Sequence, residues 1–141
     1  MTTTISADPF IEGLNPPQAQ AVTTTEGPLL LLAGAGSGKT RVLTRRVAYL
    51  LASGKAKRHE MLIVTFTNKA AREMAERIEG LCGPGRFSDL GTFHSVCARW
   101  LRRYGHSIGL DSSFTIYDSS EQQIIMKEVM LDMGLDVKRF K

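Results

Sequence analysis

Cysteine is scarce in this chain: Cys82 and Cys97 are the two among 141 residues. They make neither a Cys-x-x-Cys pair nor a Cys/His cluster, which argues against a zinc site and leaves reduced thiols in a cytoplasmic protein as the expectation. Long apolar runs are missing as well. Leu29-Leu30-Leu31-Leu32-Ala33 covers a fraction of the ~20 residues that a membrane span needs. The opening Met-Thr-Thr-Thr-Ile-Ser-Ala-Asp has no basic region followed by an apolar one, so neither a secretory leader nor a membrane partner is expected. There is no internal repeat, and low complexity is confined to threonine-rich stretches at 2–4 and 23–25. Finally, no two acidic residues are adjacent anywhere, a lack that bears on the chemistry below.

What is present fits one compact domain. Hydrophobic residues make up 43% and charged residues 23%, too apolar for a disordered chain. Charge is uneven: residues 1–110 hold 14 Lys/Arg against 8 Asp/Glu, whereas 111–141 hold 4 against 6. With an isoelectric point near 9.3, the basic part admits an anionic partner such as a nucleotide or nucleic acid without requiring one.

Element signals alternate. Asn15-Pro16-Pro17 starts a helix, with Asn as cap and Pro in the first turn, and Gly27-Pro28 breaks it. Leu29–Ala33, apolar on both faces, is predicted as a central parallel strand. A glycine-rich turn leads into a helix over 39–53, stopped by Gly54. Met61–Phe66 is predicted as a second strand, 68–81 as a helix, Leu90–Phe93 as a third strand and Ser95–Tyr104 as a third helix. This β-α order predicts a parallel α/β sheet. Phe114–Tyr117 is a fourth candidate strand, and Asp118 or Ser119 caps a helix running to about Met133. Met126, Met130 and Met133 on that helix have the spacing of packed core rather than of a binding surface.

The strongest motif is Ala33-Gly34-Ala35-Gly36-Ser37-Gly38-Lys39-Thr40, which fits the Walker A spacing with Ala at its first position. Glycines let successive N–H groups turn inward around a polyphosphate, and the following helix aims its positive end at the same anion. Lys39 is then expected at the β- and γ-phosphates and the Thr40 hydroxyl on Mg²⁺. The alternative, a strand–helix turn that binds nothing, leaves the motif's context unexplained. Kinases, GTPases, transporters and helicases all use this loop, so neighbouring residues must decide among them.

Three further segments do so: Leu14-Asn15-Pro16-Pro17-Gln18-Ala19-Gln20-Ala21-Val22, Val64-Thr65-Phe66-Thr67-Asn68-Lys69-Ala70-Ala71 and Gly91-Thr92-Phe93-His94-Ser95. With the phosphate loop and Arg41 between them, the set resembles the start of the UvrD/PcrA/Rep group of superfamily 1 DNA helicases, over essentially all of 11–141. The resemblance implies a P-loop, RecA-like α/β fold, here incomplete: residues 1–110 as the first part of the ATP-binding motor domain and 111–141 as the start of an inserted helical subdomain. It implies that Gln18 reads the adenine edge of ATP, where residue type alone would suggest an exposed polar side chain. Arg41 would lie close to the nucleotide. Thr65, Phe66, Asn68, Lys69, Thr92 and His94 would face single-stranded DNA, with Phe66 offering a ring to a base. For Phe66 and Phe93, core packing is the competing reading. Arg99, Arg102 and Arg103 surround Trp100, but Val96, Trp100, Leu101 and Tyr104 have the spacing of a buried helix face, so the arginines are expected as its solvated flank.

The resemblance also implies a 3′-to-5′ helicase or translocase in DNA repair or replication restart, with repair or replication proteins as partners. Hydrolysis in such enzymes needs an Asp for Mg²⁺ and an adjacent Glu to polarise water. Asp118, at the end of Phe114-Thr115-Ile116-Tyr117, is a minimal decoy for that Asp and an equally good helix cap. The sequence is therefore expected to be an amino-terminal fragment that binds ATP and Mg²⁺ without competent hydrolysis. A non-catalytic ATP- and DNA-binding module and an unrelated P-loop kinase or NTPase are the alternatives.

Overall fold

A computed structural model describes residues 9–136. The opening stretch 1–8 and the closing 137–141 lie outside the described residues. Those described fall into two compact units that part between Ala98 and Arg99.

In the first unit, α1 (Pro16–Thr23) begins as its sequence dictates: the Asn15 side chain accepts from Gln18 N–H, and the Gln18 side chain accepts from Asn15 N–H, a complete capping box. Helix α2 (Lys39–Ala52) packs on α1 through Ala21, Val22 and Val42, with Ile11, Leu14 and Tyr49 around them. Strand β1 (Leu62–Thr65) and strand β2 (Asp89–Thr92) pair in parallel, with Leu62 opposite Asp89 and Thr65 opposite Thr92. Between them runs α3 (Asn68–Cys82), started by Thr67, whose hydroxyl oxygen accepts from Ala70 N–H. Ala71, Met74 and Ile78 are buried on it at helical spacing, and α3 packs on both strands and on α2. Helix α4 (Phe93–Tyr104) follows β2 without a loop and therefore begins two residues before the expected start at Ser95.

The expected strand at Leu29–Ala33 does not form. Strand structure consists of ladder hydrogen bonds to a neighbour, and this segment pairs with neither β1 nor β2. Leu30 and Leu32 are 80% and 89% exposed.

The second unit holds the end of α4, a 3₁₀ turn at Gly105–Ile108 and helix α5 (Ser119–Asp132). Asp118 caps α5 and accepts from Ser120 and Glu121 N–H, while the Glu121 carboxylate accepts from Asp118 N–H. Three expectations are corrected here. Phe114–Tyr117 is no strand; the Phe114 ring lies under the Arg102 guanidinium, 5.2 Å from centroid to carbon. α5 buries no residue, so Met126 and Met133 are exposed and Met130 half-buried instead of core. Of the face drawn through α4, Val96 is buried, whereas Trp100, Leu101 and Tyr104 are exposed. In all three, apolar spacing sets which side of an element is apolar, but burial requires a facing surface.

Candidate nucleotide and nucleic-acid site

Residues 33–40 turn the chain from the unpaired 29–33 segment into α2. Gly36 and Gly38 sit at φ 74° and 82°, a left-handed region that a Cβ disfavours, so glycine at both is what lets the loop close. The Ser37 hydroxyl pins it by donating to Gly34 O at 2.7 Å. Gly38 caps α2 with no side chain, leaving the first-turn N–H groups and the positive helix end to face an anion. The Lys39 ammonium folds back among the loop carbonyls and donates to Ala33 O and Gly34 O at 3.1 and 2.6 Å. It is held there by neutral dipoles, so phosphate oxygens are stronger acceptors for the same cation. The Thr40 hydroxyl is committed to no other described residue; the Thr40 carbonyl accepts from the Thr44 hydroxyl at 3.0 Å.

Gln18 is not a loose polar residue. Its Nε2 donates to Ser37 O at 3.0 Å while its Oε1 accepts from Asn15 N–H at 3.1 Å. An amide has two donor hydrogens and two acceptor lone pairs, so one of each stays available. One donor beside one acceptor matches adenine, which offers N7 to accept and the N6 amino group to donate; guanine presents two acceptors on that edge. A cavity of about 390 Å³ adjoins this amide, and Gln18, Ser37, Lys39, Leu29, Leu31 and Val42 are among its lining. A polar corner with apolar walls suits a nucleotide. Arg41 is exposed, and its guanidinium lies so near Gly13 that a Cβ there would stand 3.2 Å away.

Two residues outside the expected set hold this arrangement. Arg45 donates to Phe10 O and Glu12 O, before α1, and Arg46 donates to Ala21 O and Thr24 O, at its end. No local pattern marks them, because their acceptors are backbone carbonyls 22 to 35 residues away.

The strand ends form a second feature. Because Thr65 pairs with Thr92, the residues that follow, Phe66 and Phe93, emerge side by side, their ring centroids 5.8 Å apart at 53°. Phe66 is 90% exposed and Phe93 half exposed, so neither is a core residue. Asn68 and Lys69 are exposed in the first turn of α3, and His94 is exposed in that of α4. Lys69 has a loose ion pair with Glu73 at 4.0 Å. Thr65 is half-buried within β1. Thr92 is buried, and its hydroxyl oxygen accepts from Ser95 N–H at the start of α4. Asp118 caps α5, as one of its two expected roles; no cluster of three or more His, Cys, Asp or Glu able to hold a metal occurs among the described residues. No helix among them is long and apolar enough to cross a membrane.

The glycine-rich loop, the Gln18 amide bonded to it and the exposed rings at the strand ends all lie within the stretch that the family comparison covers. Residues 14–141 match the UvrD/REP helicase N-terminal domain. The chain belongs to that family. It is 52% identical over 132 residues to the ATP-dependent DNA helicase PcrA of Bacillus subtilis, covering 93% of this chain and 18% of that protein. It is 51% identical over 136 residues to the ATP-dependent DNA helicase UvrD1 of Mycobacterium tuberculosis (strain H37Rv), covering 95% and 18%. PcrA of Staphylococcus epidermidis is 48% identical over 133 residues. The chain thus spans 18% of the length of these curated relatives.

Proposed function

We propose that this chain is the nucleotide-gripping start of an ATP-dependent DNA helicase or translocase that binds single-stranded DNA and moves along it 3′ to 5′. In this reading it carries a P-loop, RecA-like core over 1–110, and 111–141 begins an inserted helical subdomain. The backbone of Ala33, Gly34, Ala35, Gly36, Ser37 and Gly38 would cradle the phosphates, Lys39 would hold the β- and γ-phosphates, and the Thr40 hydroxyl would ligate Mg²⁺. Gln18 would select adenine, with Arg41 beside the nucleotide. Bound MgATP supplies the driving free energy through loss of its γ-phosphate. This chain's own residues bind and orient it; none of them forms the adjacent acidic pair that polarises water, since no two acidic residues are neighbours in the sequence. The 141 residues alone are therefore proposed to bind nucleotide without turnover.

The observation that carries the DNA half of the reading is Phe66, a ring 90% exposed just past the end of β1. A base stacked on such a ring gains ~1–3 kcal/mol with little regard to sequence. Asn68, Lys69 and His94 stand ready for phosphates, while Thr65 and Thr92 hold the strand ends that carry them. Phe66→Ala should weaken binding of a single-stranded oligonucleotide by roughly ten- to a hundredfold, measured by fluorescence anisotropy, and leave ATP affinity in place. Equal DNA affinities before and after would end the reading of Phe66. Steady-state ATPase assays with and without single-stranded DNA test the other half, and robust DNA-stimulated turnover by the 141 residues would refute it.

A further inference from the structure

We infer that Arg45 and Arg46 are positioning residues for nucleobase recognition: from α2 they clamp both ends of the α1 arm and so fix where Gln18 presents its amide. The inference rests on the reading of Gln18 as the adenine-facing group. Helix α1 is eight residues long, too short to be stable by itself, and its last carbonyls need partners outside the helix. Arg46 supplies them at Ala21 and Thr24, placing a cation where the helix dipole is negative. Arg45 holds the incoming chain at Phe10 and Glu12. Gln18 lies between these two grips, and the apolar contact of Val22 with Val42 fills the space between helices.

The phosphate loop is held differently. Its closing bonds run within 33–40, from Ser37 to Gly34 and from Lys39 to Ala33 and Gly34, and its link to the arm is the Gln18 amide on Ser37 O. Base selection and phosphate binding are thus separable: loosening the arm blurs the first and spares the second. A merely structural pair of arginines would weaken both together.

Calorimetric binding of ATP, GTP and inorganic tripolyphosphate to the 141-residue chain tests this. Tripolyphosphate is read by the loop alone. In Arg46→Met the ratio of ATP to GTP affinity should fall roughly three- to tenfold, the worth of about one net hydrogen bond, with tripolyphosphate affinity unchanged. Arg45→Met should act in the same direction. Arg46→Lys, which restores a cation and its donors, should recover most of the ratio, and Arg46→Met should add nothing in a Gln18→Ala background. If Arg46→Met fails to fold, Arg45→Met and Arg46→Lys carry the comparison. An unchanged ratio in the arginine variants, with Gln18→Ala narrowing it, overturns the positioning role alone. An unchanged ratio in Gln18→Ala overturns the reading of Gln18 and this inference with it. A parallel loss of ATP and tripolyphosphate affinity assigns the arginines a general structural role instead, and failure of the unsubstituted chain to bind any of the three ligands overturns the whole site.

Discussion

Leu29–Leu32 and Leu62–Thr65 are nearly the same kind of sequence and come to different ends. Both are short, apolar and bounded by turn or helix signals, and both lead into a segment of the candidate site. Leu62–Thr65 becomes a strand because β2 lies alongside in register and α3 covers it. Leu29–Leu32 lacks the β-branched residues of Leu62–Thr65 and pairs with neither strand, and its Leu30 and Leu32 are largely exposed. Its flanks are tied by the Lys55–Glu26 ion pair before it and by the Lys39 bonds to Ala33 and Gly34 after it. A strand is a property of a pair, and the glycine-rich loop keeps its shape here without one.

The largest expected effect separates the two segments directly. Val64→Asp places a charge in the partly buried middle of β1 and should cost on the order of 2–4 kcal/mol of stability. Leu32→Asp, at an exposed position, should stay within about 0.5 kcal/mol. Urea unfolding followed by circular dichroism measures both, and similar losses would show that the 29–32 segment is packed after all.

A middle-sized effect concerns association. The 29–32 stretch combines an open backbone edge with uncharged leucines, so nothing repels a second copy from pairing there. The unsubstituted chain should therefore sediment with a concentration-dependent rise in mass, and Leu30→Lys with Leu32→Lys should return it to monomer. A clean monomer of the unsubstituted chain across the micromolar range would contradict this account of the edge.

Much of the molecule is legible before any coordinates. Caps and glycines act locally, so the start of α1 at Asn15, the start of α5 at Asp118 and the turn at Gly36 and Gly38 follow from residue type within a few positions. The closing of the glycine-rich loop belongs to this class, since Gly36, Gly38 and Ser37 act on their near neighbours. Features that depend on a distant partner are not legible in that way. The strand at 29–33, the buried methionines of α5 and the buried Trp100 face all assume a covering surface that periodicity cannot supply. Thr92 carries a role that residue type did not announce: its buried hydroxyl serves the start of α4. Arg45 and Arg46 are invisible for a related reason, since backbone carbonyls have no sequence signature.

The smallest effect tests how the open segment is held at its near end. Glu26 is fully exposed; its hydrogen bond to the Lys55 ammonium, then that to the Thr25 hydroxyl, holds its carboxyl below the ordinary glutamate value of 4.5. A carboxyl with a depressed folded pKa stabilises the fold above its unfolded value and loses that contribution as the pH falls through the folded one. The tie should thus be intact at neutral pH and release only in acid, below 4.5. Because the pair is solvated and screened, Lys55→Met should leave the melting temperature almost unchanged. The carboxyl carbon of Glu26, followed by NMR, should titrate below 4.5 in the unsubstituted chain and move upward in Lys55→Met. No movement would mean that the ion pair does not hold in solution, leaving Lys39 as the anchor of the segment at its far end alone.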